Sequence, residues 1–253
     1  RYGAIPYAQV GVRRLFPVKT MHRENRPTLR QIPAEQIEEM IQAVVDCAVR
    51  AAAAGFPAVD ILGVGGSAHS TFLSQVFNDR TDKWGGSPDN RLRFAVETIC
   101  GIKKALGETF PVFYRHHGSE FLKGGYGVDQ AVSNAVALAQ AGVCYFNVTG
   151  GGHATSVPQL TPNVPQGAYA FLAAEIKKAV KVPVAASNRN SHPLEAEAIL
   201  RRGWADMISL GRQSLADPEW PNKVARADFS DLRFCIACNE CMDITVIHDQ
   251  PVH

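Results

Sequence analysis

Three cysteines near the C-terminal end, Cys235-Ile-Ala-Cys238-Asn-Glu-Cys241, are the residues most plainly spaced for chemistry. Two residues separate each from the next, so one tight loop carries three thiols. Thiolates gathered in this way bind a soft metal or an iron–sulfur cluster, and either needs a fourth ligand. No further cysteine follows before the chain ends at His253. A zinc knuckle completed by His248 or His253 satisfies the same spacing, and three ordinary free thiols are the bland alternative. Cys47, Cys100 and Cys144 sit among apolar residues and read as core thiols. That usage is cytosolic and not a disulfide framework.

The elements that must position this loop form a repeat of strand, loop and helix. A first strand ends near Gln9. Ile37, Met40, Ile41, Val44, Val45 and Ala48 fall on one face of a helix over residues 34–54, which Gly55 stops. Ala58-Val-Asp-Ile-Leu62 is a strand. A loop runs from it to Ser87-Pro88, the cap and first residue of a helix carrying Leu92, Ala95, Ile99, Ile102 and Leu106 on its apolar face. Further strands are expected at 110–115, 143–148, 182–187 and 205–210. Helices are expected at 128–141, 167–180 and 193–202, with a last one capped by Asp217-Pro218. Strands that are short, apolar on both faces and separated by helices form a covered parallel sheet. No glycine fingerprint follows the first strand, so a (β/α)8 TIM barrel fits better than an open doubly wound sheet. Its first two strand–helix units are expected to be missing, because Arg1 opens the chain in mid-strand. Residues 1–230 are expected to form the partial barrel and 231–253 the start of the cysteine loop.

Composition bounds the partners. The chain has 253 residues, 46% hydrophobic and 20% charged, enough for one large core. A net charge of +2 argues against nucleic acid and acidic membrane surfaces. No run reaches the roughly 20 apolar residues of a membrane span, and the start does not resemble a signal peptide. A cytoplasmic location is therefore expected.

Barrels carry their active sites at the C-terminal ends of the strands. The residues there are Gln9, the 63–71 loop, Arg115-His116-His117, Gly150-Gly-Gly-His153, Ser187-Asn188-Arg189 and Gly211-Arg212. Three arginines at three strand ends suit phosphate, since a guanidinium offers fixed charge and forked donors. Arg189 and Arg212 follow the last two strands, where barrels most often bind phosphate. A phosphorylated cofactor is the natural reading; pairing with nearby carboxylates, Asp206 and Asp217 among them, is the alternative.

The stretch Phe72-Leu-Ser-Gln-Val-Phe-Asn78-Asp-Arg80-Thr-Asp82-Lys-Trp-Gly85-Gly86-Ser-Pro-Asp-Asn90-Arg91-Leu-Arg93-Phe94 resembles the signature of the old yellow enzyme family of flavin barrels. With the tail Cys235-Ile-Ala-Cys238-Asn, the chain is similar to the iron–sulfur branch of that family. This branch includes dienoyl-CoA reductase, enoate reductases and trimethylamine dehydrogenase. Asn147-Val-Thr-Gly-Gly-Gly-His153, Pro158, Pro162, Pro165-Gln-Gly167 and Asn188-Arg189 look closest to dienoyl-CoA reductase. The resemblance covers nearly the whole chain. It implies two more barrel strands before residue 1, a fourth cysteine just past His253 and a flavin- and NAD(P)H-binding half beyond.

Position by position, the resemblance implies that Gln9 meets the pyrimidine side of FMN and Arg115 the N1 and O2 edge, where charge gathers on reduction. Arg189, Arg212 and the backbone at Asn188 and Gly211 would hold the phosphate. Cys235, Cys238 and Cys241 would bind three irons of a 4Fe-4S cluster that passes electrons from FAD, reduced by NAD(P)H, to FMN. His153 would polarise a substrate carbonyl and supply a proton together with a tyrosine. The chain departs from the family at that tyrosine. Alignment through Phe72-Leu73 puts Ser67 in its place, and Leu62 and Gly65 where many members have a histidine pair. Serine is a far weaker acid than a phenol. His69, Tyr169 and His117 are the alternatives. The implied activity is reduction of an activated C=C in a dienoyl-, enoyl- or aryl-CoA thioester or acid, with an acyl-CoA as partner and self-association left open. Amine oxidation is the second reading, weakened because Gly150 to Gly152 bring no carboxylate. A zinc-bearing, non-catalytic barrel is the third.

Overall fold

The computed structural model describes residues 4–11, 29–152, 154–157, 161–248 and 250. Six strands lie side by side in chain order: β1 (Ala8–Val10), β2 (Val59–Gly63), β3 (Val112–Ser119), β4 (Val143–Gly150), β5 (Val184–Ala186) and β6 (Met207–Ile208). Each neighbouring pair is parallel. Parallel neighbours need a crossover between them, and helices supply it: α1 (Ala34–Ala53), α2 (Ala68–Leu73), α3 (Pro88–Leu106), α4 (Val128–Gln140), α5 (Ala170–Ala179) and α6 (Pro193–Arg201). Short helices follow β6: α7 (Arg212–Ala216), α8 (Trp220–Ala225) and, within the cysteine loop, α9 (Glu240–Met242), which runs on into a wider π turn at Asp243–Ile247. This is TIM-barrel architecture over six of its strands. No described helix is long and apolar enough to cross a membrane.

The helices sit where their apolar stripes predict. Ile37, Ile41, Val44, Val45 and Ala48 are the buried positions of α1. In α3 the Ser87 hydroxyl accepts from the Asn90 amide at 3.2 Å and Pro88 opens the first turn. Where α1 and α3 touch, a side chain at Gly101 would stand 2.7 Å from Val45 Cγ2, so the close approach requires glycine.

Several boundaries differ from the sequence expectation: β3 runs on to Ser119, past the expected end at 115, and β5 and β6 are shorter than 182–187 and 205–210. The loop after β2 contains α2, capped by Ser67. Helix α5 begins at Ala170 and not at 167, because Gly167 holds a left-handed φ of +70°, outside helical geometry. Asp217 accepts from the Glu219 amide at 3.1 Å, but the helix it introduces begins at Trp220. Cys100, expected in the core, is exposed; Cys47 and Cys144 are half-buried.

A second core packs outside the sheet, under the loop from β2 to α3. Leu29, Ile37, Ile41, Ala68, Phe72, Trp84 and Phe94 form it, with Phe72 and Phe94 stacked at 4.4 Å. Its polar members satisfy backbone. Asn78 Nδ2 donates to the carbonyls of Phe72 and Trp84 at 2.7 and 2.8 Å. Arg80 Nη1 donates to those of Leu29 and Ile32, and Arg91 to those of Leu73 and Gly86. The 72–94 signature is thus a clasp that holds the loop between β2 and α3 against the 29–32 segment.

Candidate active site

Strand residues alternate between faces, and register puts Gln9 beside Asp60, Leu62 beside Arg115 and Arg115 beside Asn147. Gln9, Asp60, Arg115, Asn147, Ser187 and Ser209 all line one cavity of about 990 Å³ at the C-terminal ends of the strands.

The floor of this cavity is polar and only partly paired. Gln9 Nε2 donates to Asp60 Oδ2 at 2.8 Å, while Asp60 Oδ1 is buried with no partner among the described residues. Burial raises the Asp60 pKa; the Gln9 hydrogen bond and the Arg115 charge pull it partly back. Burial also pushes Tyr145 up to about 12, with Tyr7 and Asp60 adding to the rise. Arg115 Nε and Asn147 Oδ1 are likewise buried without partners among the described residues. Asn147 Nδ2 donates to Ser209 Oγ at 3.2 Å.

At the ends of β5 and β6 the backbone is turned unusually. Asn188 and Arg189 hold left-handed φ values of 71° and 53°. Asn188 Oδ1 accepts from Thr149 Oγ1 at 2.6 Å and from the Gly150 amide at 3.3 Å, binding the ends of β4 and β5 together. Arg189 Nη1 donates to the carbonyls of Thr161, Pro162 and Val164, so that arm of the guanidinium holds the loop after β4. Arg212 Nη1 donates to Asn239 Oδ1 at 2.7 Å. Asp206 and Asp217 pair with Lys177 and Lys223, not with these arginines.

The expected proton donors fare differently. Ser67 lines the cavity, but its hydroxyl donates to the Leu62 carbonyl at 2.6 Å and accepts from the Ser70 amide. His69 is removed from the site. It is fully buried edge-on to Phe94 and Tyr114, and burial pulls its pKa down to about 3. The turn of α2 that Ser67 starts carries it into the second core. Tyr169 packs on Phe121 with ring centroids 5.4 Å apart. His117 lines the cavity. His153 lies outside the described residues.

Residues 15–228 match the NADH:flavin oxidoreductase / NADH oxidase family. The chain belongs to that family. It is 42% identical over 214 residues to a metal reductase of Desulforamulus reducens, covering 84% of this chain and 32% of that one. It is 34% identical over 252 residues to a cinnamate reductase of Clostridium sporogenes, covering 92% and 38%. Among solved structures, a 2-naphthoyl-CoA reductase complex superposes with a TM-score of 0.83 at 32% identity, over 87% of this chain and 34% of that one. A histamine dehydrogenase of Rhizobium sp. 4-9 and a 6-hydroxypseudooxynicotine amine oxidase of Pseudomonas geniculata N1 superpose on the chain as well. The chain spans about a third of the length of these two curated relatives, the metal reductase and the cinnamate reductase.

The family implies FMN, and the cavity fits it. Buried polar atoms rarely go unpaired. Arg115 Nε, Asn147 Oδ1 and the Gln9 amide supply donors and an acceptor for the heteroatom edge of a flavin ring. The left-handed turn at Asn188 and Arg189 and the bare backbone of Gly211, where an added Cβ would meet nothing, leave main chain on the phosphate side.

Sequence reading missed two parts of the site. Asp60 was visible as an acid inside an apolar strand. Gln213, in α7, gave no signal. Its Nε2 donates to the Arg233 carbonyl at 2.8 Å and its Oε1 accepts from the Cys235 amide at 2.9 Å, which places the cysteine loop against the cavity. Cys235 lines that cavity, Cys241 is half-buried and Cys238 exposed. Among the described residues no three His, Cys, Asp or Glu side chains are gathered as around a metal. Replacing Gln213 with leucine is expected to remove two hydrogen bonds worth about 0.5–1.5 kcal/mol each and to loosen the loop. Proteolytic cutting between residues 233 and 241 should quicken; a wild-type rate would show that the loop holds itself.

Proposed function

We propose that this chain is the substrate-binding barrel of a flavin-dependent reductase acting on a C=C bond conjugated to the carbonyl of a thioester or acid. The observation that carries the reading is Arg115: a buried guanidinium nitrogen without a partner among the described residues, in a family that binds flavin, beside a cavity that the cysteine loop also lines. FMN, when bound, supplies a reversible two-electron couple. Arg115 holds positive charge beside its pyrimidine edge, Gln9 is oriented by Asp60 against the same edge, and the backbone at Asn188 and Gly211, with Arg189 and Arg212, carries the phosphate. Cys235, Cys238 and Cys241 are the thiols that would hold three irons of a 4Fe-4S cluster, which when bound would supply single-electron transfer; FAD and NAD(P)H would be its source of electrons. His153 polarises the substrate carbonyl. Relatives that reduce cinnamate and 2-naphthoyl-CoA support the substrate class. Against amine oxidation stands the absence of a carboxylate at Gly150 to Gly152.

The test is anaerobic reduction by the full-length, flavin-loaded protein. Cinnamate and 2-naphthoyl-CoA should lose their conjugated absorbance at the expense of NADH or NADPH. Oxidation of a small methylated amine, with both unsaturated acceptors untouched, would overturn the reading. His153→Ala should lower turnover while the flavin stays bound; full turnover removes His153 from the mechanism.

A further inference from the structure

We propose that His117 is the catalytic acid, the group that protonates the substrate carbon left negative when the conjugated double bond takes up electrons. This deepens the function proposed above and rests on it.

His117 lies two residues beyond Arg115 on β3, on the same face and one step nearer the mouth. It is buried, yet it lines both the main cavity and a side cavity of about 20 Å³. Its ring runs along the turn after β4: a Cβ built on Gly152 would stand 3.6 Å from Cε1 and 3.9 Å from Nε2. That glycine, part of the Gly150-Gly-Gly run, sets no side chain of its own against the imidazole edge.

Among the described residues that line the cavity the other proton carriers are unsuited, Cys235 being one of the three loop thiols assigned to the cluster. The Ser67 hydroxyl is committed to the Leu62 carbonyl and is too weak an acid. Tyr7 and Asp60 belong to the floor, on the far side of Arg115 from His117. Arginine does not release its proton. Histidine is the side-chain type that both gives and regains a proton near neutrality. Arg115 approaches His117 from β3 itself; Glu120, just past the end of β3, lines the side cavity with it. Burial raises the Glu120 pKa, and its Oε2 accepts from the Tyr126 amide at 2.9 Å. Ser70 and Gly66 close the side cavity from the α2 turn. About 20 Å³ is room for roughly one water.

The balance of the step is as follows. Two electrons and one hydrogen reach the β-carbon from the reduced flavin, and the C=C π bond breaks. The α-carbon forms its new C–H bond with the proton of His117. The neutral imidazole then takes a proton from water at the side cavity.

His117→Gln and His117→Ala, made in the full-length flavin-loaded protein and checked by thermal melting, test this. Cinnamate reduction should fall by about 10²–10⁴-fold. Ferricyanide takes electrons without a proton and should be reduced at the wild-type rate. Binding of 3-phenylpropionate, saturated and unreactive, whose carboxylate sits one bond from the α-carbon, should weaken by roughly tenfold or more through loss of its contact with His117. Cinnamate turnover matching wild type overturns the proposal. A wild type that reduces ferricyanide but neither cinnamate nor 2-naphthoyl-CoA overturns the function proposed above, and the binding measurement then decides on His117 alone: unchanged affinity overturns it, weakened affinity supports its place against the substrate.

Discussion

Replacing Arg115 with alanine is expected to lower the midpoint potential of the bound flavin by roughly 40–90 mV. A flavin gains negative charge on reduction, so a fixed positive charge beside it favours the reduced form. At hydrogen-bond range near a protein surface such a charge is worth on the order of 2–4 kcal/mol, which sets the size of the shift for a two-electron couple. Asp60 sharpens the effect. Its carboxyl shares the floor with Arg115, and the Arg115 charge is one of two influences that hold its pKa down against burial. Without the guanidinium the floor is left with an acid alone. Arg115→Lys keeps the charge but loses the fork, and should recover most of the potential. A redox titration of the flavin spectrum reads both variants. An unchanged potential in Arg115→Ala would show that the guanidinium is not at the pyrimidine edge.

What the sequence disclosed and what it hid divide along a physical line. Strand tips were legible because parallel strands are apolar, short and stopped by glycine, so Gln9, Arg115 and Asn188 could be placed at one mouth from local pattern alone. The most recognisable stretch, 72–94, told the family but not the chemistry: Asn78, Arg80 and Arg91 satisfy backbone carbonyls in the second core. Hydrogen bonds between distant segments were hidden. Arg189 reads as a phosphate ligand from its position, yet Nη1 reaches carbonyls more than twenty residues back. Gln213 carries no signal in its local sequence, yet it holds the cysteine loop. His69 reads as a donor near Ser67, but one helical cap between them turns it away from the cavity. Register and capping decide such cases, and neither is fixed by the identity of the residue concerned.

Lowering the pH from 7 to 4 is expected to cost the fold on the order of 3 kcal/mol at each of two histidines, His69 and His116. Both are fully buried, and burial pulls their pKa values down to about 3 and about 4. An unfolded histidine titrates near about 6.5. The folded values lie below the unfolded one, so the unfolded chain binds more protons across this window. Stability is therefore complete above the unfolded value and is lost as the pH falls toward the folded ones. Asp60 and Glu120, whose pKa values burial raises, act in the opposite sense and soften the decline. The two histidines are separable. Neither ring nitrogen of His69 has a partner among the described residues, so His69→Leu should be near neutral at pH 7 and should remove about half of the acid loss. His116 Nε2 pairs with the Ala131 carbonyl at 3.0 Å, so His116→Leu should destabilise at every pH by orphaning that oxygen. Urea midpoints at pH 7, 5.5 and 4 distinguish the variants. A His69→Leu protein as acid-sensitive as wild type would mean that His69 is hydrated or paired in solution, and that the turn of α2 does not carry it into the core.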